Sequence, residues 1–345
     1  MLQRLGADMK RRTVRAPGRV NLIGDHTDYT GGLALPAALP WATTVTWEEA
    51  QNRVTVESVF NGVDHKASIG LNESASNAPS WLIIAQFLAR ATGTGGHFTV
   101  TSDLPVGAGL SSSAAYTVAV ALALGSTGDP WLIAKHCQEA EAAAGSNVGL
   151  LDQMASLTGQ LGKAVLLDFT KELFEPVELP EGTELVIVDS TQRRSLASSA
   201  YSERRRDCEV IEQELGPLAS ASLDLVEELH DPLLRRRAHH VVSENLRVRA
   251  AVESARRGDP VGFGQAMNES HRSLAEDFDV STSTLNDLSA ALRSLPGVFG
   301  ARMTGGGFGG CVVALTETGV GATINLGLPT LVVVPGDGAQ VLETE

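Results

Sequence analysis

The chain has 345 residues, of which 43% are hydrophobic and 20% charged, and its formal net charge is −14 at pH 7. This composition is typical of a globular protein that is long enough for two domains. The acidic balance argues against a nucleic-acid surface, no stretch reaches the ~18 apolar residues of a membrane-spanning helix, and the three widely spaced cysteines suggest neither a disulfide framework nor a zinc site. We expect a cytoplasmic protein without membrane or nucleic-acid partners.

The N-terminal part of the chain predicts strands and a polar cluster. Residues 14–46 and 53–60 are rich in β-branched side chains and are interrupted by glycine and proline, as strands and turns are. The first of these regions contains four consecutive polar residues: Asp25, His26, Thr27 and Asp28. Two carboxylates and an imidazole this close together can bind several hydroxyls at once, as a sugar requires. A capped turn with satisfied side chains is the structural alternative.

A glycine- and serine-rich loop predicts an anion site. A helix is expected over 81–90 and a strand over 97–102, and this strand leads into the loop. This loop, called the phosphate loop below, consists of Gly107, Ala108, Gly109, Leu110, Ser111, Ser112 and Ser113. An apolar helical pattern follows, so the glycines and the positive end of the helix would bring N–H groups close to a phosphate. A plain strand-to-helix turn with a serine cap is the alternative.

Three charged residues could act beside this loop. Asp152 begins a short helix predicted over 150–157, where it could cap the helix or could take a proton from an attacking hydroxyl. Arg19 suits the stabilisation of a transferring phosphoryl group, because it is always charged. Glu141 lies on a helix predicted over 135–144 and is either a magnesium ligand or a solvent-facing acid.

A change of pattern near residue 180 predicts a domain boundary. Strands are expected over 164–169 and 184–188, and the pattern is then helical from 198 to 295. We therefore divide the chain into an N-terminal domain, 1–180, and a C-terminal domain, 181–345. Two arginine clusters in the helical region are interpreted as solvated helix faces with ion pairs: 204–206 and 235–237.

A glycine-rich turn near the C-terminus predicts a close backbone approach. A strand–turn–strand unit is expected over 298–315, and five of the six residues from Gly305 to Gly310 are glycine. A tight hairpin needs only one or two glycines, so we expect this backbone to pass close to a ligand or to the phosphate loop. A merely flexible turn is the alternative. The last strand is predicted over 330–334.

These segments, in this order and spacing, resemble the three signature motifs of the GHMP small-molecule kinases, and specifically of the galactokinase family. The resemblance runs from about residue 14 to residue 315 and includes residues 195–201 and 269–274. It implies an α/β fold of the α+β type, in which an N-terminal and a C-terminal GHMP domain enclose the active site. It also implies transfer of the γ-phosphate of ATP to the C1 hydroxyl of galactose, with Mg²⁺.

The resemblance further implies a role for individual residues. Asp152 would be the catalytic base and Arg19 the stabiliser of the transition state. Ser113 and Glu141 would hold Mg²⁺, and Trp81 would stack beside adenine. The nucleotide phosphates would lie on the loop from Gly107 to Ser113. The residues implied to bind the sugar are Asp25, His26, Thr27, Asp28, Gly149 and Tyr201.

The sequence departs from the family pattern at positions that bear on the substrate and the metal. Asp25 stands where the family has Glu, at the position implied to meet the C6 hydroxyl of the sugar. The segment between Glu141 and Asp152 is one residue shorter than usual. The alternatives are therefore an anomeric kinase for N-acetylgalactosamine, galacturonate or arabinose, and a non-catalytic sensor of galactose and ATP. The intact run from Ser113 to Ala115 argues against the sensor. For the oligomeric state, we expect a monomer.

Overall fold

The structure is a computed structural model that describes residues 3–4, 11–60, 63–105, 108–193 and 197–344. Its strands are β1 Gln3–Arg4, β2 Arg11–Asn21, β3 Leu33–Ala34, β4 Pro36–Ala50, β5 Arg53–Phe60, β6 Val63–Gly70, β7 Gly95–Ser102, β8 Ser126–Thr127, β9 Lys163–Asp168, β10 Leu173–Glu178, β11 Thr183–Asp189, β12 Val298–Met303, β13 Cys311–Glu317, β14 Thr330–Val333 and β15 Gln340–Thr344. Its helices are α1 Ser80–Thr92, α2 Ser112–Ala123, α3 Pro130–Ala143, α4 Leu151–Thr158, α5 Ala197–Leu215, α6 Leu223–Val226, α7 Pro232–Arg256, α8 Pro260–Glu276 and α9 Ser283–Arg293. Within these ranges, no helix has the length and apolar character that a membrane crossing requires.

The N-terminal half is built on a six-stranded sheet in the order β15-β2-β4-β7-β5-β6. Neighbouring strands are antiparallel except for β5 and β7, which run parallel. Buried apolar residues of the sheet, such as Val14 and Phe98, pack with those of helices α1 and α2, such as Leu88 and Ala119. This core fixes the relative positions of β2 and α2, the two elements that border the phosphate loop.

The C-terminal half is built on a four-stranded antiparallel sheet in the order β12-β13-β11-β14. Side chains of β11 alternate between two cores. Val186 and Val188 pack against the helices of the C-terminal half, whereas Leu185 and Ile187 join a core that includes Leu22 from the N-terminal half. One hydrophobic core therefore spans both halves and holds their facing loops together.

The structure contains five strands that the sequence pattern does not predict: the two-residue strands β1 and β8, which pair with each other, and the longer strands β6, β10 and β15. Most residues of β6, β10 and β15 are exposed, so these three strands lack the alternation of buried apolar side chains that identifies a strand. The strand predicted over 330–334 is confirmed as β14, but it is not the last strand, because β15 follows it and pairs with β2. The other predicted helices and strands are confirmed, with ends that differ by a few residues. The division near residue 180 stays a prediction.

The two arginine clusters are only partly solvated. Arg204 and Arg237 are 6% and 2% exposed, so the interpretation as solvated helix faces is wrong for these two residues. Arg204 Nε donates to the Phe278 carbonyl at 2.8 Å, and Arg237 Nη1 donates to the Asp277 carbonyl at 2.6 Å. Both guanidinium groups thus donate to carbonyls just after α8, where Asp277 is the C-cap residue, and their positive charge is favourable at this end of the helix.

Candidate active site

A pocket of about 330 Å³ opens between the two halves of the protein. Its walls from the N-terminal half are Arg19, Asp25, His26, Asp28, residues 145–149, Leu151 and Asp152. Its walls from the C-terminal half are Tyr201, Ser202 and residues 305–307. The structure thus brings together both predicted catalytic residues and five of the six predicted sugar-binding residues.

Asp152 lies in the first turn of α4 and is held from two sides. Arg19 Nε donates to Asp152 Oδ1 at 2.7 Å, and Ser111 Oγ donates to Asp152 Oδ2 at 2.5 Å. The side chain of Arg19 is 7% exposed and that of Asp152 is 27% exposed, so the carboxylate still reaches the pocket. Because each carboxylate oxygen has two lone pairs, Asp152 can also accept a hydrogen bond from a bound hydroxyl.

A bulge in β2 places Arg19 against the phosphate loop. The register of β2 against β4 shifts between Pro17 and Arg19. A Cβ at Gly18 would overlap the Leu110 carbonyl, so only glycine fits at this bulge. Arg19 N donates to the Leu110 carbonyl at 3.2 Å, and Arg19 Nη1 donates to the Gly109 carbonyl at 3.1 Å. Strand β2 and the loop therefore position each other.

The described part of the phosphate loop, residues 108–113, ends at the N-terminus of α2. Ser111 has a left-handed backbone with φ of 64°, and its hydroxyl binds Asp152 rather than an N–H group of α2. The alternative of a serine-capped turn is therefore wrong for Ser111. Since the first N–H groups of a helix have no partner within the helix, this end of α2 can accept an anion. Gly107, which was also predicted for the loop, lies outside the described residues.

Glu141 on α3 faces the start of α2. Ser113 Oγ donates to Glu141 Oε2 at 3.2 Å, and Gln153 Nε2 donates to Glu141 Oε1 at 2.9 Å. Glu141 is 2% exposed, so its alternative as a solvent-facing acid is wrong. Burial raises the pKa of Glu141 and repulsion from Asp152 adds to this, while the hydrogen bonds from Gln153 and Ser113 act in the opposite direction.

The oxygens of Ser113 and Glu141 are of the kind that Mg²⁺ prefers, a hydroxyl and a carboxylate. In the described part of the chain, no group of three His, Cys, Asp or Glu residues could hold a metal ion by itself. A Mg²⁺ ion at this pair would therefore need further oxygens from a bound phosphate and from water, which is how Mg²⁺ is commonly held beside nucleotides. The pair fits a metal that arrives with its substrate.

A second cavity of about 290 Å³ lies beside the start of α2. Trp81 and Tyr116 line it together with Ser112, Leu104 and Pro105. The Tyr116 hydroxyl donates to the Trp81 carbonyl at 2.7 Å, which joins α2 to α1. Mostly apolar walls with two aromatic rings suit a planar base, and Ser112 connects the cavity to the phosphate loop.

The acidic loop, defined as residues 24–33, carries four of the predicted sugar-binding residues. His26 has φ of 65°, in the left-handed region that residues other than glycine rarely adopt. Its Nδ1 lies 2.9 Å from the Tyr29 hydroxyl. Burial lowers the pKa of His26 to about 3, with a smaller contribution from His240, so its imidazole is neutral near neutral pH.

Thr27 closes the acidic loop instead of lining the pocket. Its hydroxyl is within hydrogen-bonding distance of the Gly24 carbonyl, at 3.0 Å, and of the Leu33 carbonyl, at 2.7 Å. Thr27 is 0% exposed. The structure thus separates it from the other predicted sugar-binding residues, because its side chain points to the backbone at both ends of the loop.

Asp28 and Gly149 form one side of the pocket. Asp28 Oδ2 accepts a hydrogen bond from Leu151 N at 3.3 Å, and a Cβ at Gly149 would overlap the Asp28 carboxylate. Glycine is therefore required at position 149 for Asp28 to reach its place. Burial raises the pKa of Asp28 to about 6, and repulsion from Asp152 and Asp25 contributes to the increase.

Asp25 is paired with a residue that the sequence analysis did not select. Arg302 Nη2 donates to Asp25 Oδ2 at 2.5 Å, and the two side chains are 0% and 5% exposed, respectively. Arg302 lies on β12, directly before the glycine-rich turn. No local signal joins the two residues, because they are 277 positions apart and Arg302 falls within a buried strand.

The glycine-rich turn passes close to other backbone and to an aromatic ring, as predicted. A Cβ at Gly306 would lie 3.2 Å from the ring of Tyr201, and a Cβ at Gly307 would overlap the Val280 carbonyl. The thiol of Cys311 donates to the Ala108 carbonyl at 3.0 Å. The turn therefore packs against the pocket wall, and Cys311, which follows it on β13, contacts the phosphate loop.

Three sequence signatures match the chain. The galactokinase galactose-binding signature covers residues 3–48, the GHMP kinases N terminal domain covers residues 81–160, and the GHMP kinases C terminal domain covers residues 251–323. The chain is 39% identical to galactokinase of Homo sapiens over 88% of this chain and 83% of that protein. The chain belongs to the galactokinase family.

Other galactokinase-family members give the same result. The chain is 37% identical to galactokinase of Roseiflexus sp. (strain RS-1), over 88% of this chain and 83% of that protein. The crystal structure of Lactococcus lactis galactokinase complexed with galactose superposes with a TM-score of 0.85 at 27% identity, over 96% of this chain and 95% of that chain. A mevalonate kinase structure, at 17% identity and a TM-score of 0.65, shares the fold. The predicted GHMP kinase fold is confirmed.

We predict that Asp28→Asn stabilises this galactokinase-family protein when no sugar is bound. An acid whose pKa rises on folding, here from 3.8 to about 6, costs folding free energy once the pH exceeds its unfolded pKa. The wild type should therefore lose stability relative to Asp28→Asn as pH rises from about 4 through 6. Urea unfolding at pH 7.5 should show a gain of about 1–3 kcal/mol. An equal difference between the two proteins at pH 4 and at pH 7.5 would contradict this.

Proposed function

We propose that the protein transfers the γ-phosphate of ATP to the C1 hydroxyl of α-D-galactose and releases galactose 1-phosphate. The observation that carries the proposal is the position of Asp152, which borders the pocket and binds both Arg19 and Ser111 of the phosphate loop. A hydroxyl bound in the pocket would thus meet a carboxylate at the place where a phosphoryl group can arrive. The galactokinase relatives support galactose as the sugar.

In this proposal Asp152 accepts the proton of the C1 hydroxyl. The hydroxyl oxygen forms a bond to the γ-phosphorus, and the bond between that phosphorus and its bridging oxygen breaks, so that ADP leaves. Arg19 keeps Asp152 Oδ1 in place and offers positive charge to the transferring phosphoryl group. The sugar hydroxyls would be bound by Asp25, His26, Asp28, Tyr201 and the backbone of Gly149.

The nucleotide would extend from the phosphate loop to the second cavity. Its phosphates would lie on residues 108–113 at the start of α2, and its adenine beside Trp81. Ser113 and Glu141 would hold Mg²⁺, which supplies positive charge to the phosphate oxygens when it is bound. Monomeric state and cytoplasmic location stay predictions from the sequence.

A coupled assay of ATP consumption over free monosaccharides tests the proposal. We expect D-galactose to have the highest kcat/KM, and N-acetylgalactosamine, galacturonate and arabinose are compared because Asp25 replaces the Glu of the family. Asp152→Asn protein serves as the blank, and phosphorus–proton coupling in the NMR spectrum of the product should place the phosphate on C1. ATP consumption that no sugar stimulates would contradict the proposal.

A further inference from the structure

Helix α7 holds both ends of the acidic loop through two consecutive residues. Glu244 Oε1 accepts a hydrogen bond from Gly24 N at 2.9 Å, and Asn245 Oδ1 accepts one from Leu33 N at 2.8 Å. Glu244 is 0% exposed and Asn245 is 6% exposed. The loop that carries the predicted sugar-binding side chains is therefore anchored by a helix of the other half of the protein.

A third contact comes from the same face of α7, one turn earlier. His240 Nε2 lies 3.2 Å from the Asp25 carbonyl and donates to it, since a carbonyl oxygen can only accept. Residues four positions apart lie on one face of a helix, so His240 and Glu244 contact neighbouring backbone groups of the loop. In the described part of the chain, no α7 residue lines the pocket.

The contacts of Glu244 keep its carboxylate ionised, so that it remains a hydrogen-bond acceptor. Its Oε2 pairs with Arg247 Nε at 2.7 Å, and its Oε1 also accepts from Ser270 Oγ at 2.5 Å. Burial alone would raise the pKa of Glu244, but attraction to Arg247, His240 and Arg302 and the bond from Ser270 together lower it to about 2. The carboxylate is thus ionised near neutral pH and accepts hydrogen bonds there.

We propose that Glu244 and Asn245 are positioning residues for the sugar site, which set the backbone of the acidic loop without touching the substrate. The proposal rests on the proposed function, because that function assigns the side chains of this loop to the sugar. It predicts a selective effect. Weakening the contacts should disturb sugar binding and leave nucleotide binding intact, since the phosphate loop is held separately by β2, α2 and Asp152.

A pair of variants at position 245 tests this directly. Asn245→Ala removes the acceptor for Leu33 N and should raise the KM and the Kd for galactose about tenfold, with the KM for ATP within about twofold of wild type. Asn245→Asp keeps an acceptor oxygen for Leu33 N. It loses only Nδ2, which has no hydrogen-bond partner among the described residues. This variant should therefore retain most of the galactose affinity that Asn245→Ala loses.

A control variant separates positioning from general destabilisation, and a second variant tests the other anchor of the loop. Ala250→Gly weakens α7 at an exposed position away from the loop and should lower Tm without changing either KM. Glu244→Gln should raise the galactose KM more than Asn245→Ala does, because its partner Gly24 N adjoins Asp25, and an unchanged galactose KM would remove Glu244 from the positioning role. Calorimetry with galactose and with ATP gives the binding constants independently of turnover.

The outcomes distinguish this proposal from the proposed function. An Asn245→Ala protein with the galactose KM of wild type would overturn the positioning role, and so would one that raises the KM for galactose and for ATP equally. If Ala250→Gly changes the galactose KM as much as Asn245→Ala does, the effect is general destabilisation and the role is also overturned. A wild-type protein that neither binds nor phosphorylates galactose would instead overturn the proposed function.

Discussion

Asp152→Asn is expected to lower kcat by about 10²–10⁴-fold while galactose and ATP still bind. An amide of the same shape cannot take the proton of the C1 hydroxyl. Its oxygen can still accept from Arg19 Nε, and the Ser111 hydroxyl can rotate to accept from its NH₂ group, so the local geometry should survive. The loss should therefore appear in kcat, with both Kd values within about twofold of wild type.

Ser111→Ala is the matched comparison for this variant. It keeps the Asp152 carboxylate but removes the 2.5 Å hydrogen bond to Oδ2, and the loss of one such bond should cost about 5- to 10-fold in kcat. Initial rates of ADP formation at saturating substrates and calorimetric binding constants measure both effects. A kcat for Asp152→Asn within about tenfold of wild type would remove Asp152 from the role of base.

The parts of the site that lie within one short segment could be predicted from the sequence. The acidic loop, the phosphate loop and the glycine-rich turn each have an unusual local composition. That composition reflects a local requirement, such as the left-handed backbone of Gly109 or the absence of a Cβ at Gly306. The periodic spacing of apolar and polar residues likewise predicted most helices and strands, because each element turns one apolar face toward the core.

The contacts between distant segments could not be predicted in this way. The local pattern around Arg302 predicts only a buried strand, and that around Glu244 and Asn245 predicts only a charged helix. Their partners lie more than 200 residues away in the chain, so no periodicity or local motif reports them. Strand β15 is missed for a related reason. Its side chains are exposed, and its place is determined by backbone pairing with β2 rather than by burial of apolar residues.

Asp25→Asn is expected to lower the free energy of unfolding by about 3–5 kcal/mol, which is the usual cost of leaving one member of a buried ion pair uncompensated. Arg302 is 0% exposed, and its Nε and Nη1 have no hydrogen-bond partner among the described residues. Once Asp25 loses its charge, the guanidinium keeps its full desolvation penalty without the carboxylate that it now contacts. Urea unfolding at pH 7.5 measures the loss.

A double variant separates this cause from a simple loss of packing. Burial raises the pKa of Asp25 in spite of the attraction to Arg302. The desolvation cost of the carboxylate therefore exceeds the favourable energy of its attraction to Arg302. Removing both charges, as Asp25→Asn with Arg302→Met, should therefore recover about half or more of the stability lost in either single variant. If the losses of the two single variants simply add in the double variant, the pair is not coupled, and Asp25 owes its position to the α7 contact at its carbonyl rather than to Arg302.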